Sequence, residues 1–307
     1  MPENHEKVTR KPAWLKIKLR SETPGAPGET VASRLEAANG FAQVSRLVRE
    51  NALHTICTSG KCPNQAECWS RRTATFMILG DICTRSCRFC ATKTGKPLPA
   101  DPDEPEKVAR SVSRMELRYC VLTSVDRDDL PDGGAARWAE TVRAVRRLNP
   151  DTKIEVLLPD FDGNRTLLDI VLDAGPDVAG HNIETVERLT PLVRSRARYR
   201  RSLDVLRHIV GRGIPAKSGL MLGLGETEED VLRTLDDLAE TGCSLLTIGQ
   251  YLQPTRRQLE VAEYVHPDRF ARYREEALKR GFAWVESAPL VRSSYRADRA
   301  AEKCGIK

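Results

Sequence analysis

Six of the nine cysteines in this chain fall into two triplets close together in sequence. Cys57, Cys62 and Cys68 form a C-x4-C-x5-C set, and Cys83, Cys87 and Cys90 a C-x3-C-x2-C set. Three thiolates within a few residues can hold three irons of a cubane cluster that normally takes four cysteines. The remaining iron is then free to chelate a small molecule through an amine and a carboxylate. Two such triplets imply two 4Fe-4S clusters with different tasks. Structural zinc is the plainer alternative. It favours C-x2-C pairs and four closed ligands, and the second triplet has no partner pair.

The elements that must position these thiols are legible from pattern. Residues 1–33 are polar and rich in charge, with Lys11-Pro12-Ala13-Trp14-Leu15 as a stretch able to dock on the body. A helix is expected over 34–50, followed by a loop-rich stretch, 51–72, that holds the first triplet together with Gly60 and Pro63. From there apolar runs of strand length alternate with amphipathic helical periods. Strands are expected at 75–79, 119–123, 153–158, 177–180, 217–222, 245–248 and 283–287. Helices are expected at 105–117, 135–148, 164–174, 185–193, 200–211, 227–241 and 267–280. Pro105 stands in a favoured first-turn position, and Thr227-Glu228-Glu229-Asp230 has the form of a capping box. About six β/α units predict an α/β fold with a parallel sheet, doubly wound or closed toward a barrel. The second triplet follows the first of these strands at once. The polar segments 123–134, 181–185 and 250–255 also follow strands, where such sheets place their chemistry.

Bulk properties narrow the class. The chain has 307 residues, 40% of them hydrophobic, enough for one large α/β domain or a barrel. No apolar run approaches the roughly 18–20 residues of a membrane span, and no apolar signal core opens the chain. Glu3, Glu6, Glu22 and Glu29 argue against an organellar transit peptide, so a cytoplasmic protein is expected. An odd, clustered set of cysteines without a secretion signal fits a reduced compartment and metal binding better than disulfides. Cys120 and Cys243 read as small core residues, and Cys304 as exposed and unassigned. The net charge of +6 comes from 49 basic and 43 acidic groups, interspersed. No Lys/Arg stripe with interleaved aromatics marks a nucleic-acid surface. An acidic partner protein fits a mildly basic chain at least as well.

Cys83-Thr-Arg-Ser-Cys87-Arg-Phe89-Cys90, with an aromatic before the last cysteine, resembles the signature of the radical S-adenosylmethionine superfamily. The upstream set Cys57-Thr-Ser-Gly-Lys-Cys62-Pro-Asn-Gln-Ala-Glu-Cys68, the stretch His181-Asn-Ile-Glu-Thr185 and the ending Arg292-Ser-Ser-Tyr295 are similar, more narrowly, to the lipoyl synthase family. The likeness covers most of the chain. It implies a radical SAM partial (β/α) barrel over 73–287. An N-terminal extension, 34–72, would carry the second cluster's cysteines, and a C-terminal segment, 288–307, would bring Arg-Ser-Ser-Tyr. Both would close the barrel's open side.

The resemblance also implies roles. Cys83, Cys87 and Cys90 would hold the cluster that binds S-adenosylmethionine, with Phe89 near the adenine, Thr123 and Ser124 at the methionine end, and Asn182 and Glu184 at the nucleoside or sulfonium. Cys57, Cys62, Cys68 and Ser294, with Ser293 as the alternative, would hold an auxiliary cluster that is consumed as the sulfur donor. Serine oxygen is a poorer match to iron than thiolate, so that corner would release readily. Arg292 would bind the octanoyl amide or a neighbouring carboxylate; Asp126 and its acidic neighbours would position Arg292 or stay solvated; Lys217 and Gln250 would face the cavity. The implied reaction inserts sulfur at C6 and C8 of a protein-bound octanoyl-lysine. The implied partners are octanoylated lipoyl carrier domains (2-oxoacid dehydrogenase E2 and glycine-cleavage H protein), an electron donor such as flavodoxin or ferredoxin, and iron–sulfur cluster carriers. The chain departs from the family at Arg256-Arg257-Gln258, where a histidine is expected near position 258, a change assigned to carrier recognition rather than chemistry. Biotin synthase and the methylthiotransferases are the nearest competing readings, and a non-catalytic zinc or iron–sulfur module is the outsider.

Overall fold

The computed structural model describes residues 11–15, 31–71 and 73–303. Cys304 and most of residues 1–30 lie outside them. Helix α1 (Val31–Glu50) leads to a two-residue strand β1 (His54–Thr55) and two short helices, α2 (Ile56–Ser59) and α3 (Gln65–Ser70). Strand β2 (Thr75–Ile78) then opens the repeating part. A small pair, β3 (Ile82–Cys83) and β4 (Lys93–Thr94), brackets the second triplet. After it come α4 (Glu104–Arg114), β5 (Tyr119–Ser124), α5 (Ala135–Leu148), β6 (Lys153–Leu157), α6 (Arg165–Leu172) and β7 (Val178–Gly180). The chain continues through α7 (Thr190–Val193), α8 (Tyr199–Gly211), β8 (Ala216–Leu222), α9 (Glu228–Glu240), β9 (Leu245–Gln250), α10 (Pro267–Lys279), β10 (Trp284–Ser287) and α11 (Ala297–Lys303).

The sheet order is β1-β2-β5-β6-β7-β8-β9-β10. All neighbours from β2 to β10 are parallel, and β1 is antiparallel to β2. The two edge strands do not pair with each other, so the barrel is partial. Its helices follow the expected period. In α5, Ala135, Trp138, Ala139, Val142 and Val145 are buried at i, i+3, i+4 and i+7 spacing. Burying each large side chain of this layer contributes roughly 1.5–3 kcal/mol. The capping box of α9 forms as expected: Asp230 N donates to Thr227 Oγ1 and Thr227 N donates back to the Asp230 carboxylate. Cys120 and Cys243 are core residues, as their apolar settings predict.

The first triplet does not sit in a loop-rich stretch. Thr55 caps α2 through its side chain, and Cys57 and Cys68 each ride a short helix. Segment 288–294 crosses back from β10 toward β2. Gln250 N donates to Pro289 O, Asn64 Nδ2 donates to Leu290 O at 2.7 Å, and Thr75 Oγ1 donates to Ser294 Oγ at 2.8 Å. This crossing fills the gap between the edge strands. Gly249 makes it possible, because a Cβ there would stand 2.2 Å from Val291 O. Past the crossing, α11 packs Ala300 against Val178, Leu245 and Trp284, the first residues of three strands, and so covers the amino ends of the sheet. Leu15 is also buried and Trp14 meets the His266 ring edge-on, so the 11–15 stretch docks on the body.

Candidate active site

Alternation along each strand sends every second side chain inward. Thr75 and Met77 of β2, Val121 and Thr123 of β5, Glu155 and Leu157 of β6, Gly219 and Met221 of β8, and Thr247 and Gly249 of β9 all line one cavity of about 510 Å³. The cavity is the lumen of the partial barrel. Cys83, Cys87 and Cys90 line it at the carboxyl rim, and Cys57 and Cys62 line it from the N-terminal extension. Cys68 stands behind the wall rather than in it, half-buried and close enough to Cys62 and Cys57 to feel their charge. Phe89, Thr123, Ser124, Asn182, Glu184, Arg292, Ser293 and Ser294 also face this space.

The rim loop is fixed by its backbone and by sulfur. At the end of β2, Leu79 is buried with φ +69 and Gly80 follows at φ +94, which turns the chain off the sheet. Glu104 accepts from Leu79 N and Arg127 donates to Leu79 O, so charged side chains hold both polar groups of the strained residue. Thr84 N donates to Asp126 O and Arg88 N donates to Val193 O. Backbone N–H groups of Arg85 and Asp126 point at Cys83 Sγ (3.4 and 3.3 Å), and that of Thr92 at Cys90 Sγ (3.4 Å).

Charge surrounds this loop. Arg85 is buried, donates two hydrogen bonds to Asp128 (2.9 and 2.8 Å) and one to Asp160 (2.7 Å), and stands 3.4 Å from Asp126. Burial alone would raise the Asp160 carboxyl, but the charge of Arg85 brings it down to about 2. Burial raises Asp126 against the same arginine. The acidic segment after β5 therefore holds Arg85, not Arg292. Burial also pushes the free thiols up: Cys83 to about 12, helped by Asp126, and Cys68 to about 12, helped by Cys62 and Cys57. Iron binding here must displace protons.

Asn182 Nδ2 donates to Ser293 Oγ at 2.7 Å and to Glu184 Oε1 at 3.1 Å, and Glu184 is near enough to Cys90 to act on its thiol. Gly219 lets Asn182 lie against β8, since a Cβ there would stand 2.7 Å from Asn182 Oδ1. Glu184 takes φ +66, and burial raises its carboxyl. The two serines are thus divided: Ser293 is joined to Asn182 and Ser294 to Thr75. Arg292 donates to Val291 O at 2.6 Å; burial lowers its pKa, and Cys62 acts in the opposite direction. Thr123 Oγ1 donates weakly to Leu157 O, and Ser124 Oγ accepts from Trp138 Nε1.

One lumen residue, Glu155, carries no sequence signal. Glu155 faces the lumen and forms a buried 2.7 Å ion pair with Lys217, while Tyr119 donates to its other oxygen at 2.6 Å. Lys217 itself is not on the cavity wall, and Gln250, which is, spends its amide on Leu222 O, Tyr251 O and Glu263 O. His181 is buried between Leu158 O and Ser202 Oγ. Gln258 Nε2 donates to Cys90 O at 3.0 Å, which brings the residue at the departing position into contact with the thiol loop.

No three His, Cys, Asp or Glu side chains among the described residues close on one point at single-ion distance. A zinc site needs its sulfurs about 2.3 Å from one ion, whereas a cubane meets each thiolate at a different iron. The N–H groups aimed at sulfur suit the excess negative charge of thiolate-held iron.

The radical SAM superfamily matches residues 77–238. The chain is 54% identical over 295 residues to a lipoyl synthase of Bacteroides fragilis (strain YCH46), covering 96% of this chain and 97% of that protein. It is 56% identical over 290 residues to a lipoyl synthase of Parabacteroides distasonis, covering 94% and 98%. Among solved structures, methylornithine synthase aligns with TM-score 0.53 at 12% identity over 84% of this chain and 83% of that one. Streptococcus suis SuiB bound to S-adenosylmethionine aligns with TM-score 0.54 at 12% identity over 74% and 55%. At such identity these two likenesses concern the fold.

Proposed function

The chain belongs to the lipoyl synthase family, within the radical S-adenosylmethionine superfamily, and on that footing we propose how its own residues serve the reaction. It is a sulfur-inserting enzyme that works with 4Fe-4S clusters and S-adenosylmethionine and acts on lipoyl carrier domains. The proposed carriers are the E2 subunits of 2-oxoacid dehydrogenases and glycine-cleavage H protein. Flavodoxin or ferredoxin is the proposed reductant, iron–sulfur carriers the source of clusters, and the cytoplasm the compartment. Among the described residues no helix is long and apolar enough to cross a membrane. The division into 1–33, 34–72, 73–287 and 288–307 is kept as the proposed domain plan.

The observation that carries the assignment of residues is that one lumen is lined by thiols of both triplets and by both serines of the Arg-Ser-Ser-Tyr segment. Cys83, Cys87 and Cys90 are proposed to hold one cluster, and Cys57, Cys62, Cys68 and Ser294 the other. When bound, the clusters and S-adenosylmethionine supply a radical able to break an unactivated C–H bond, and the sulfur that replaces the hydrogen. The chain's own contribution is placement. Phe89, Thr123, Ser124, Asn182 and Glu184 surround the nucleoside and methionine ends. The apolar wall of Met77, Val121, Leu157, Leu220 and Met221 suits an eight-carbon chain and excludes water from it. Arg292 donates one N–H to Val291 O, which leaves the rest of its guanidinium to hold the amide by which the chain hangs.

Ser294 is preferred over Ser293 for the first triplet. Ser293 is engaged by Asn182, whose other partner Glu184 acts on Cys90, while Ser294 reaches Thr75 at the start of β2, the strand paired with the residues just before Cys57. The test is mass spectrometry of an octanoyl-lysyl peptide after anaerobic incubation of the reconstituted enzyme with S-adenosylmethionine and a strong reductant. A dithiolated product is expected, lost with Ser294→Ala and retained in part with Ser293→Ala. Iron counted per chain should fall for Ser294→Ala alone. The opposite ranking of the two variants would transfer the role to Ser293.

A further inference from the structure

Resting on that reading, we propose that the turn around Arg256 and Arg257, with Arg88 beside it, is the docking face for an acidic surface of the carrier domain. The turn begins and ends on the cavity wall. Leu252, Gln253 and Pro254 line the lumen, and Gln258 returns to donate to Cys90 O. The next residue, Leu259, donates its N–H to Arg88 O at 3.0 Å. Between these anchors the chain turns sharply: Gln258 N donates to Thr255 O and Arg257 N to Thr255 Oγ1. Arg256 and Arg257 occupy the apex, and both are exposed. Their place is therefore the edge of the cavity mouth, held there by bonds to the very loop that carries the second triplet.

The charges at this edge are unspent. Arg256, Arg257 and Arg88 form no ion pair among the described residues, unlike such exposed arginines as Arg200 with Glu187, Arg212 with Asp169 and Asp173, and Arg272 with Glu228. Lys61, also exposed and without an ion pair among the described residues, lines the same cavity. The acids Asp126, Asp128 and Asp160 are engaged by Arg85, Arg196 and Arg201 rather than by these cations. Between residues 252 and 260 only Glu260 is acidic. A mouth ringed by uncompensated positive charge attracts an acidic macromolecule and fixes its approach. The occupant must also feed a lysine-borne chain into the lumen, which a folded carrier does and a nucleic acid does not.

The experiment compares the holoenzyme with the Arg256→Glu/Arg257→Glu double variant on two substrates, an octanoylated carrier domain and a short neutral octanoyl-lysyl peptide. The proposal expects KM for the carrier at low salt to rise about 10- to 100-fold in the variant, within the range that electrostatic steering covers. Turnover on the peptide should stay at the wild-type level. Added salt should raise the wild-type carrier KM and leave that of the variant nearly flat. An unchanged carrier KM at low salt would overturn the docking face. So would an equal loss on peptide and carrier, which would make the turn a brace for the thiol loop only. Competition by a DNA duplex at the carrier's own concentration would reassign the face to nucleic acid. If the wild-type enzyme converts neither substrate, the functional reading fails instead.

Discussion

Acidification from about pH 7.5 to about pH 5 should remove about 2 kcal/mol of stability through His181 alone. The ring is buried. Its Nδ1 lies 2.9 Å from Leu158 O and its Nε2 lies 2.9 Å from Ser202 Oγ. Arg194 donates to the same hydroxyl at 2.8 Å, which directs the serine hydrogen to Nε2. The network therefore assigns a neutral ring with its proton on Nδ1. A second proton would leave Ser202 facing two donors with no acceptor for its own hydrogen. Burial, and then the charge of Arg194, lowers the pKa of His181 from 6.5 to about 4. The folded value lies below the unfolded one, so the unfolded chain binds more protons as the pH falls. The full contribution is present above about pH 6.5 and is lost from there down to about pH 4. Two-state linkage gives about 2 kcal/mol lost at pH 5 and about 3.4 kcal/mol below pH 4. Urea unfolding of wild type and His181→Gln at equal cluster content measures it. The variant should be less stable at pH 7.5, and the gap between the two proteins should narrow by about 2 kcal/mol at pH 5. With an m-value of about 3 kcal/mol/M, that is about 0.7 M in midpoint. Two stability curves that run parallel over this range would refute the assigned network.

Two further outcomes follow from close contacts. Lys217→Met strands the Glu155 carboxylate in the barrel and should cost about 3–5 kcal/mol, whereas Lys217→Met/Glu155→Leu should recover most of it; a double variant no more stable than the single one would contradict the pairing. Gly249→Ala drives a methyl against Val291 O and should cost about 1–3 kcal/mol. It should also displace Arg292 to Ser294, so that sulfur insertion falls while cleavage of S-adenosylmethionine persists; a parallel fall of both activities would count against separate roles for the two triplets.

The repeating fold was legible because its signals are local. The period of α5, the capping box of α9 and the apolar runs of β5 and β9 need no distant partner to be read. The first triplet's surroundings were misjudged for a local reason as well. Gly60 and Pro63 look like loop breakers, but Gly60 ends α2 as its cap and Pro63 precedes α3, so both separate short helices. The two-residue strands β3 and β4 are too short to carry a pattern, and α11, written Ala-Asp-Arg-Ala-Ala-Glu-Lys, shows almost no apolar face. At the site, the cysteines were singled out by residue type and spacing and the serines only by the family resemblance; all of them but Cys68 line one lumen. Arg85 with Asp160, Glu155 with Lys217, and His181 with Ser202 were not legible as pairs. Each pair joins residues many positions apart, and only the folded register of the strands tells which polar side chain turns inward.

The crossing of segment 288–294 has a consequence for the order in which the molecule can be made. Asn64 and Thr75 bond to Leu290 and Ser294, more than 200 residues later in the chain. During synthesis the rim loop with Cys83, Cys87 and Cys90 gains its last backbone partner at Leu259, whereas the surroundings of Cys57 and Cys62 stay unfinished until segment 288–294 has been added. A chain cut short before residue 288 would keep the thiols of both triplets and lack the hydroxyls of Ser293 and Ser294. Completion of the site around Cys57 and Cys62 thus waits for the segment that follows the last strand of the sheet.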